Sequence, residues 1–231
     1  MALIDSKSCI CVNSELDLFS VPPTQTSVEH GTTVEYHPVA DFIDSAPIEF
    51  NVPGSGEDYV DLANSFLHVT AKITNGDGTD LAPGTAVGPL NLFLHSLFSQ
   101  IDMYLNDKLI TSSVNTYAYR AYLETLLSYG KGAKNTQLTA SLWYKDIAGR
   151  MEDAAIDDAG ANTGFKTRAR IASESNLIDM LGRIHSDLFF QEKLLLNGIG
   201  MRIRLVRSKD EFVLVTGERD VRYKAKIVES V

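Results

Sequence analysis

Residues Phe66 to Ile73 read FLHVTAKI, and within them Leu67, Val69, Ala71 and Ile73 alternate with His68, Thr70 and Lys72. Successive side chains of a strand point to opposite faces, so this alternation marks a strand with one buried and one wet face. The pattern returns near the C-terminal end. Met201, Ile203 and Leu205 alternate with Arg202 and Arg204, and Val221, Tyr223, Ala225 and Ile227 alternate with Arg222, Lys224 and Lys226. Ile48 to Val52 forms a shorter strand signal stopped by Pro53, Gly54 and Gly56, and Ile101, Met103 and Leu105 form another. Asn106 and Asp107 then suit a tight hairpin into Leu109 and Ile110. Phe212 to Val215 is a continuous apolar run, with Ser208 to Asp210 expected to turn between it and the strand at Met201. Roughly eight strands result, and antiparallel sheets with one solvated face produce such alternation. The expected fold class is therefore all-β, an antiparallel jelly-roll β-sandwich with short inserted helices.

Two helices are expected between the strands. Pro89 suits a first helical turn, and Leu90, Phe93, Leu94, Leu97 and Phe98 follow at helical spacing. In the second, Tyr119, Tyr122, Leu123, Leu126 and Leu127 share a face, Asn115 or Thr116 can cap the start, and Gly130 and Gly132 stop it. Asn75 to Gly78 reads as a turn that ends the Leu67 strand. Ile147 to Thr163 is rich in Asp, Ala and Gly without apolar period and reads as a surface loop. Residues 1–47 carry Pro22, Pro23, Pro38 and Pro47 among many Ser and Thr, the composition of an extended arm that gains order from a partner surface. The jelly-roll domain is expected over residues 48–231, and Val231 follows so directly on a strong strand that the domain is expected to be cut short there.

The chain has 231 residues, 44% hydrophobic and 22% charged, enough for one large β domain. Asp5 precedes any basic cluster and the apolar run at Ile10 to Val12 is too short for a signal-peptide core, so secretion is not expected. Cys9 and Cys11 are too few for a disulfide framework and lack further thiols for a zinc site, so free thiols are expected. No stretch reaches the ~18 consecutive apolar residues of a membrane helix. The net charge of −9 disfavours nucleic-acid binding by the whole surface, since phosphate contacts come mostly from Lys and Arg. That charge is uneven: residues 1–165 hold 8 basic and 21 acidic side chains (−13), and residues 166–231 hold 13 basic and 9 acidic (+4). Either pairing between neighbouring copies or a solvated strand face accounts for the imbalance.

Several residue groups carry a chemical reading to be weighed. His185-Ser186-Asp187 supplies two ligands of a 2-His-1-carboxylate iron site, but no histidine follows His185 to complete it. The other histidines are His30, His37, His68 and His95, and no H-x-H pair exists. Asn75 to Asp80 resembles a calcium loop, yet Ala86 stands where the twelfth-position Glu belongs, and a β-turn explains it better. Gly54-Ser55-Gly56 is not a nucleophile elbow, because the first glycine adjoins the serine. Glu152, Asp153, Asp157 and Asp158 read as a solvated charge cluster rather than a metal loop. Trp143 and Tyr144, with Tyr117, Tyr119 and Tyr122, suggest a stacking platform, although tyrosines at helical spacing more commonly bury their rings. No catalytic, cofactor-binding or metal-binding residue is assigned, and no enzyme is expected.

Six segments carry a family resemblance: SELDLFSVPPTQTSVE (14–29), PIEFNVPGSGEDYVDLA (47–63), LHSLFSQIDMYLNDKLI (94–110), NTYAYRAYLETLLSYG (115–130), SLWYKDIAG (141–149) and MRIRLVRSKDEF (201–212). In this order they resemble the major capsid proteins of Polinton/Maverick elements and adintoviruses, and they span nearly the whole chain. The resemblance implies a viral structural protein with two jelly rolls in one polypeptide, of the lineage that contains adenovirus hexon. It implies a homotrimer forming pseudo-hexameric capsomers of an icosahedral shell, with capsomer contacts and penton or minor capsid proteins as partners. It implies no catalytic step, cofactor, small-molecule substrate, membrane span or sequence-specific nucleic-acid contact. It places the protein in the virion capsid, and inside the host cell before assembly. This chain matches the N-terminal jelly roll, and the second jelly roll is absent from it. The competing readings are a single jelly-roll binding module, lectin-like, and a domesticated or degenerate capsid-derived host protein.

Overall fold

A computed structural model describes residues 30–40, 46–54, 56–156, 160–191, 193–218 and 221–231. The chain divides into two units, Met1–Val34 and Glu35–Val231. Of the first, only residues 30–34 are described, exposed and without regular secondary structure. Cys9, Cys11, the resembling segment 14–29, Ser55, Asp157 and Asp158 lie outside the described residues, as does most of the expected arm.

The second unit is mostly antiparallel β-sheet. Its strands are β1 (Ile48–Val52), β2 (Leu67–Asn75), β3 (Val87–Pro89), β4 (Phe98–Leu105), β5 (Lys108–Leu109), β6 (Ile178–Gly182), β7 (Met201–Arg207), β8 (Leu214–Thr216) and β9 (Tyr223–Ser230). They form a four-stranded sheet in the order β1-β7-β4-β5, a three-stranded sheet β6-β2-β9 and the pair β3-β8. Five α-helices join them: α1 (Phe93–Ser96), α2 (Tyr117–Ser128), α3 (Lys131–Asn135), α4 (Thr163–Ile171) and α5 (Asp210–Val213).

The alternating stretches occupy the sheet centres, as their pattern demands. On β7, Leu205 lies between Ile48 and Ile101, Ile203 between Phe50 and Met103, and Met201 between Val52 and Leu105. On β2, Val69, Ala71 and Ile73 are fully buried, facing Met180 and Ile178 on one side and Ile227 and Ala225 on the other. The inward residues of both sheets join one hydrophobic core. Each fully buried Leu, Ile, Phe or Met side chain contributes about 1.5–3 kcal/mol, and the two central strands share that burial with the stretch from Leu92 to Phe98. The expected hairpin at Asn106 and Asp107 is present, and both residues have the positive φ (44° and 63°) of a primed turn.

Arg202 and Arg204 of β7 find acidic partners within the same chain. Arg204 stands between Glu49 on β1 and Asp102 on β4, at 3.4 and 3.6 Å, and Arg202 lies 4.1 Å over the Tyr104 ring. Asp102 is buried and also accepts hydrogen bonds from Ser113 Oγ and Gln100 Nε2. On this strand, then, the C-terminal positive charge is answered in cis.

Four local expectations are corrected. Pro89 ends β3 rather than starting a helix, and only Phe93–Ser96 is helical, with Phe98 already in β4. Leu92 takes a left-handed conformation there, its N–H bonded to Asn91 Oδ1, which also accepts from Tyr144 N. Residues Leu92 to Phe98 are buried on every side, so their spacing did not report one face. Second, Ser208 to Asp210 is no hairpin: α5 follows, and Leu214–Thr216 pairs with β3 instead of β7. Asp210 Oδ1 accepts the Ala225 N–H, which covers part of the β9 edge. Third, the second helix exists as α2, but it buries Tyr117, Ala121 and Thr125, while Tyr119, Leu123, Leu126 and Leu127 face outward. Fourth, five α-helices and three short 3-10 helices stand among the described residues where two helices were expected. The most informative of the additional helices is α4, capped by Asn162, whose side-chain oxygen accepts from Gly164 N.

Candidate functional site

α2 meets the core through Tyr117, Ala121 and the half-buried Tyr122 ring. Its inward residues Ala121 and Thr125 are small, and polar contacts add to the apolar ones. His95 of α1 and His185, which follows β6, meet edge to face beneath the helix with ring centroids 4.6 Å apart. The Tyr117 hydroxyl accepts the His185 backbone N–H at 3.2 Å and lies 2.9 Å from His95 Nδ1. Glu124 Oε2 stands 2.8 Å from His185 Nδ1, which donates to the carboxylate, leaving Nε2 to face Thr125 Oγ1 at 3.5 Å. At the rim, Arg120 bridges Glu124 (2.6 Å) and Asp187 (2.5 Å).

Burial sets the electrostatics of this cluster. Desolvation holds His95 well below its ordinary pKa, with the adjacent His185 adding to the effect. Desolvation also lowers His185 against the raising pull of Glu124, and it pushes the Tyr117 hydroxyl up. Both imidazoles are therefore neutral at neutral pH. A cavity of about 470 Å³ opens beside His185, and Ile101, Ile110, Val114, Arg120, Asp187 and Leu188 are among the residues that line it.

The residues singled out in the sequence separate in space. His185 points inward to Glu124, whereas Asp187 is exposed and held by Arg120, so the H-x-D triplet does not converge. Among the described residues no group of three or more His, Cys, Asp or Glu side chains is placed to hold a metal ion. Asp77 accepts from both the N–H and the hydroxyl of Thr79, which holds its carboxyl below the usual range, and Asp80 pairs with Lys72 at 3.0 Å. Asn75 to Asp80 is thus a closed turn that uses its own carboxylates. Gly54 packs against Ile199 and Gly200, and Asp153 accepts from Ala155 N. Trp143 is buried against Tyr122 at 5.3 Å, which removes it from any solvent-facing platform, while Tyr119 lies exposed beside Phe212 at 5.6 Å.

A second polar knot fastens α4. Arg168 is buried, and donates to Pro89 O, Tyr144 O and Asp146 Oδ1, each at 2.9 Å. Asn162 Nδ2 donates to the same Asp146 oxygen. Each of the three guanidinium nitrogens of Arg168 donates to a group of the protein itself, so the knot is structural.

Neither histidine contact was legible in the sequence, because positions 95, 117, 124 and 185 share no spacing. The outward stripe of α2 was legible as a shared face, but nothing in its spacing says whether that face meets this domain's core or solvent. Among the described residues no helix is long and apolar enough to cross a membrane.

No family model matches the chain. An uncharacterized protein of Caenorhabditis elegans is 25% identical over 203 residues, covering 84% of this chain and 45% of that protein. The crystal structure of mavirus major capsid protein overlays with a TM-score of 0.42 at 13% identity, covering 98% of this chain and 51% of that one. The chain spans about half the length of each of these proteins.

Proposed function

We propose that this chain is a structural shell protein, the N-terminal jelly-roll region of a double jelly-roll major capsid protein of the Polinton/Maverick and adintovirus type. Residues 1–47 serve as an arm toward a neighbouring copy and residues 48–231 as the jelly roll, which trimerises into capsomers that meet penton or minor capsid proteins in a virion. It performs no reaction and takes no cofactor. The observation that carries the reading is the ordered set of six resembling segments running from Ser14 to Phe212. Two antiparallel sheets around one core agree with it, as does an inserted helix that turns its apolar side outward. The polar side chains that invited a catalytic reading are bonded to one another, His185 to Glu124 and Arg120 to Asp187.

The test is the mass of the purified chain by light scattering across a wide concentration range. A trimer is expected, and a particle that stays monomeric at every concentration would refute the reading. A second reading, a capsid-derived protein kept by an animal host, is favoured by one observation, the similar protein in Caenorhabditis elegans. It predicts the same fold without closed shells in electron micrographs of the assembled material.

A further inference from the structure

The exposed side of α2 is apolar, and that is unusual for a helix already docked on a core. At about 100° per residue, Tyr117, Ala121 and Thr125 cover an inward arc of about 80°. Tyr119, Leu123, Leu126 and Leu127 form a stripe centred about 180° away from it. Their exposures are 59%, 54%, 45% and 80%. A soluble helix normally places charge on that side. Here the charged neighbours Arg120 and Glu124 sit at one flank and pair with each other at 2.6 Å, so the stripe is electrically neutral on a chain of net charge −9.

We infer that this stripe is a contact between two copies of the chain, made by antiparallel pairing of α2 about Leu123. Three of its four residues are placed as such a contact requires, and the same two-fold sets Leu126 level with the partner's Arg120. Tyr119 and Leu127 lie four residues either side of Leu123, about 6 Å along the axis in each direction. A two-fold through Leu123 therefore sets Leu123 against its own mate and Tyr119 against the partner's Leu127, as an isologous interface demands. Two like-charged chains meet best where neither presents net charge, and the stripe is such a place. The four exposures equal a little over two whole side chains, on the order of 400 Å² per copy. That is about half of the ~800 Å² per partner of a stable complex, so the contact is weak and reversible, suited to joining preformed capsomers. The inference rests on the shell-protein reading for what the contact builds, and on the helix alone for the contact itself.

Sedimentation velocity at rising concentration tests it, with the unmodified chain beside Leu123→Lys/Leu127→Lys. Both leucines are exposed, and circular dichroism melts check that the variant folds; Leu123→Ser/Leu127→Ser repeats the test without added charge. The unmodified chain is expected to show a second, concentration-dependent association step that the double variant weakens by more than about a hundredfold, leaving the trimer unchanged. Leu123→Cys, in a chain with Cys9→Ser and Cys11→Ser, is expected to form a disulfide-linked pair on mild oxidation. Equal association by the double variant, or no pair from Leu123→Cys, overturns the inference while leaving the trimer reading intact. A chain that pairs through Leu123→Cys but never forms trimers upholds the contact and removes the capsomer.

Discussion

Lowering the pH from about 7 to 5 will destabilise this fold through two buried histidines. Folded, His95 and His185 are neutral, because burial holds both below their ordinary value. Unfolded, a histidine titrates near 6.5. A depressed group contributes stability that is present above its unfolded value and is lost as the pH falls below it, because the unfolded chain then takes up protons that the folded chain refuses. Each refused proton costs about 1.4 kcal/mol per pH unit, so between 6.5 and 5 the two histidines together remove at most about 4 kcal/mol. Glu124, beside His185, favours the charged form and reduces that histidine's share, so His95 carries most of the loss. The groups facing the pair are Tyr117, Arg120 and Glu124 from α2, with Arg183 from the segment that carries His185. Asp77 and Asp179, whose pKa values are lowered from 3.8, keep their contribution throughout this window and lose it only below that value. Urea unfolding between about pH 7.5 and 5 measures the effect. The midpoint should hold steady down to about 6.5 and then fall, and His95→Gln should flatten the fall. A midpoint that stays level to pH 5 in the unmodified chain would show that these imidazoles accept protons freely, and that the buried contact between them is not as described.

Three substitutions probe the rest of the fold. Leu205→Asp places a carboxylate at a fully buried position between Ile48 and Ile101, at a cost of several kcal/mol, and should abolish soluble folding; soluble, cooperatively folded protein would refute the β1-β7-β4 register. Gly88→Ala sets a Cβ 2.8 Å from Ala169 Cβ and 2.9 Å from Phe165 Cε2, where overpacking costs about 1–3 kcal/mol, and a calorimetric Tm lower by roughly 3–10 °C is expected. An unchanged Tm would mean that α4 is not pressed onto β3. Asp107→Gly relieves a φ of 63° in the β4-β5 turn and should stabilise by about 0.5 kcal/mol in urea unfolding, since the Arg202 contact it gives up is 4.0 Å long and exposed. A loss of stability would show that the Asp107 charge outweighs its backbone.

The central strands were legible because alternation survives wherever a sheet has one wet face. FLHVTAKI and MRIRLV each place three or more apolar residues on one side, and the structure buries those residues. Legibility failed where the buried face was not apolar. α4 turns Phe165, Arg168 and Ala169 inward, and a buried arginine at the middle of the face breaks the hydrophobic period that would announce a helix. It failed again where everything was apolar. Leu92 to Phe98 is buried all round, so helical spacing within it could not separate one turn of helix from the start of a strand. The histidine cluster was hidden for a third reason, since its members come from α1, α2 and the segment after β6, and only the closing of the chain brings them together.

α2 combines these cases, and the combination bears on what the chain does. A hydrophobic stripe in a sequence says that a surface is to be covered, not what covers it. Had the stripe of Tyr119, Leu123, Leu126 and Leu127 been this domain's own core face, the opposite side would have been free to carry charge. Instead that side carries Tyr117, Ala121, Glu124 and Thr125, which fit the helix closely to a polar floor of His95 and His185. Small residues permit close approach, and hydrogen bonds fix rotation about the helix axis more sharply than apolar contact does. A helix held in this way presents its outer stripe at a defined angle, and rigid presentation lowers the entropy cost of a weak contact repeated many times over. Acid that protonates the floor would loosen the same helix, so the pH dependence of folding and the strength of self-association should fall together below about pH 6.5.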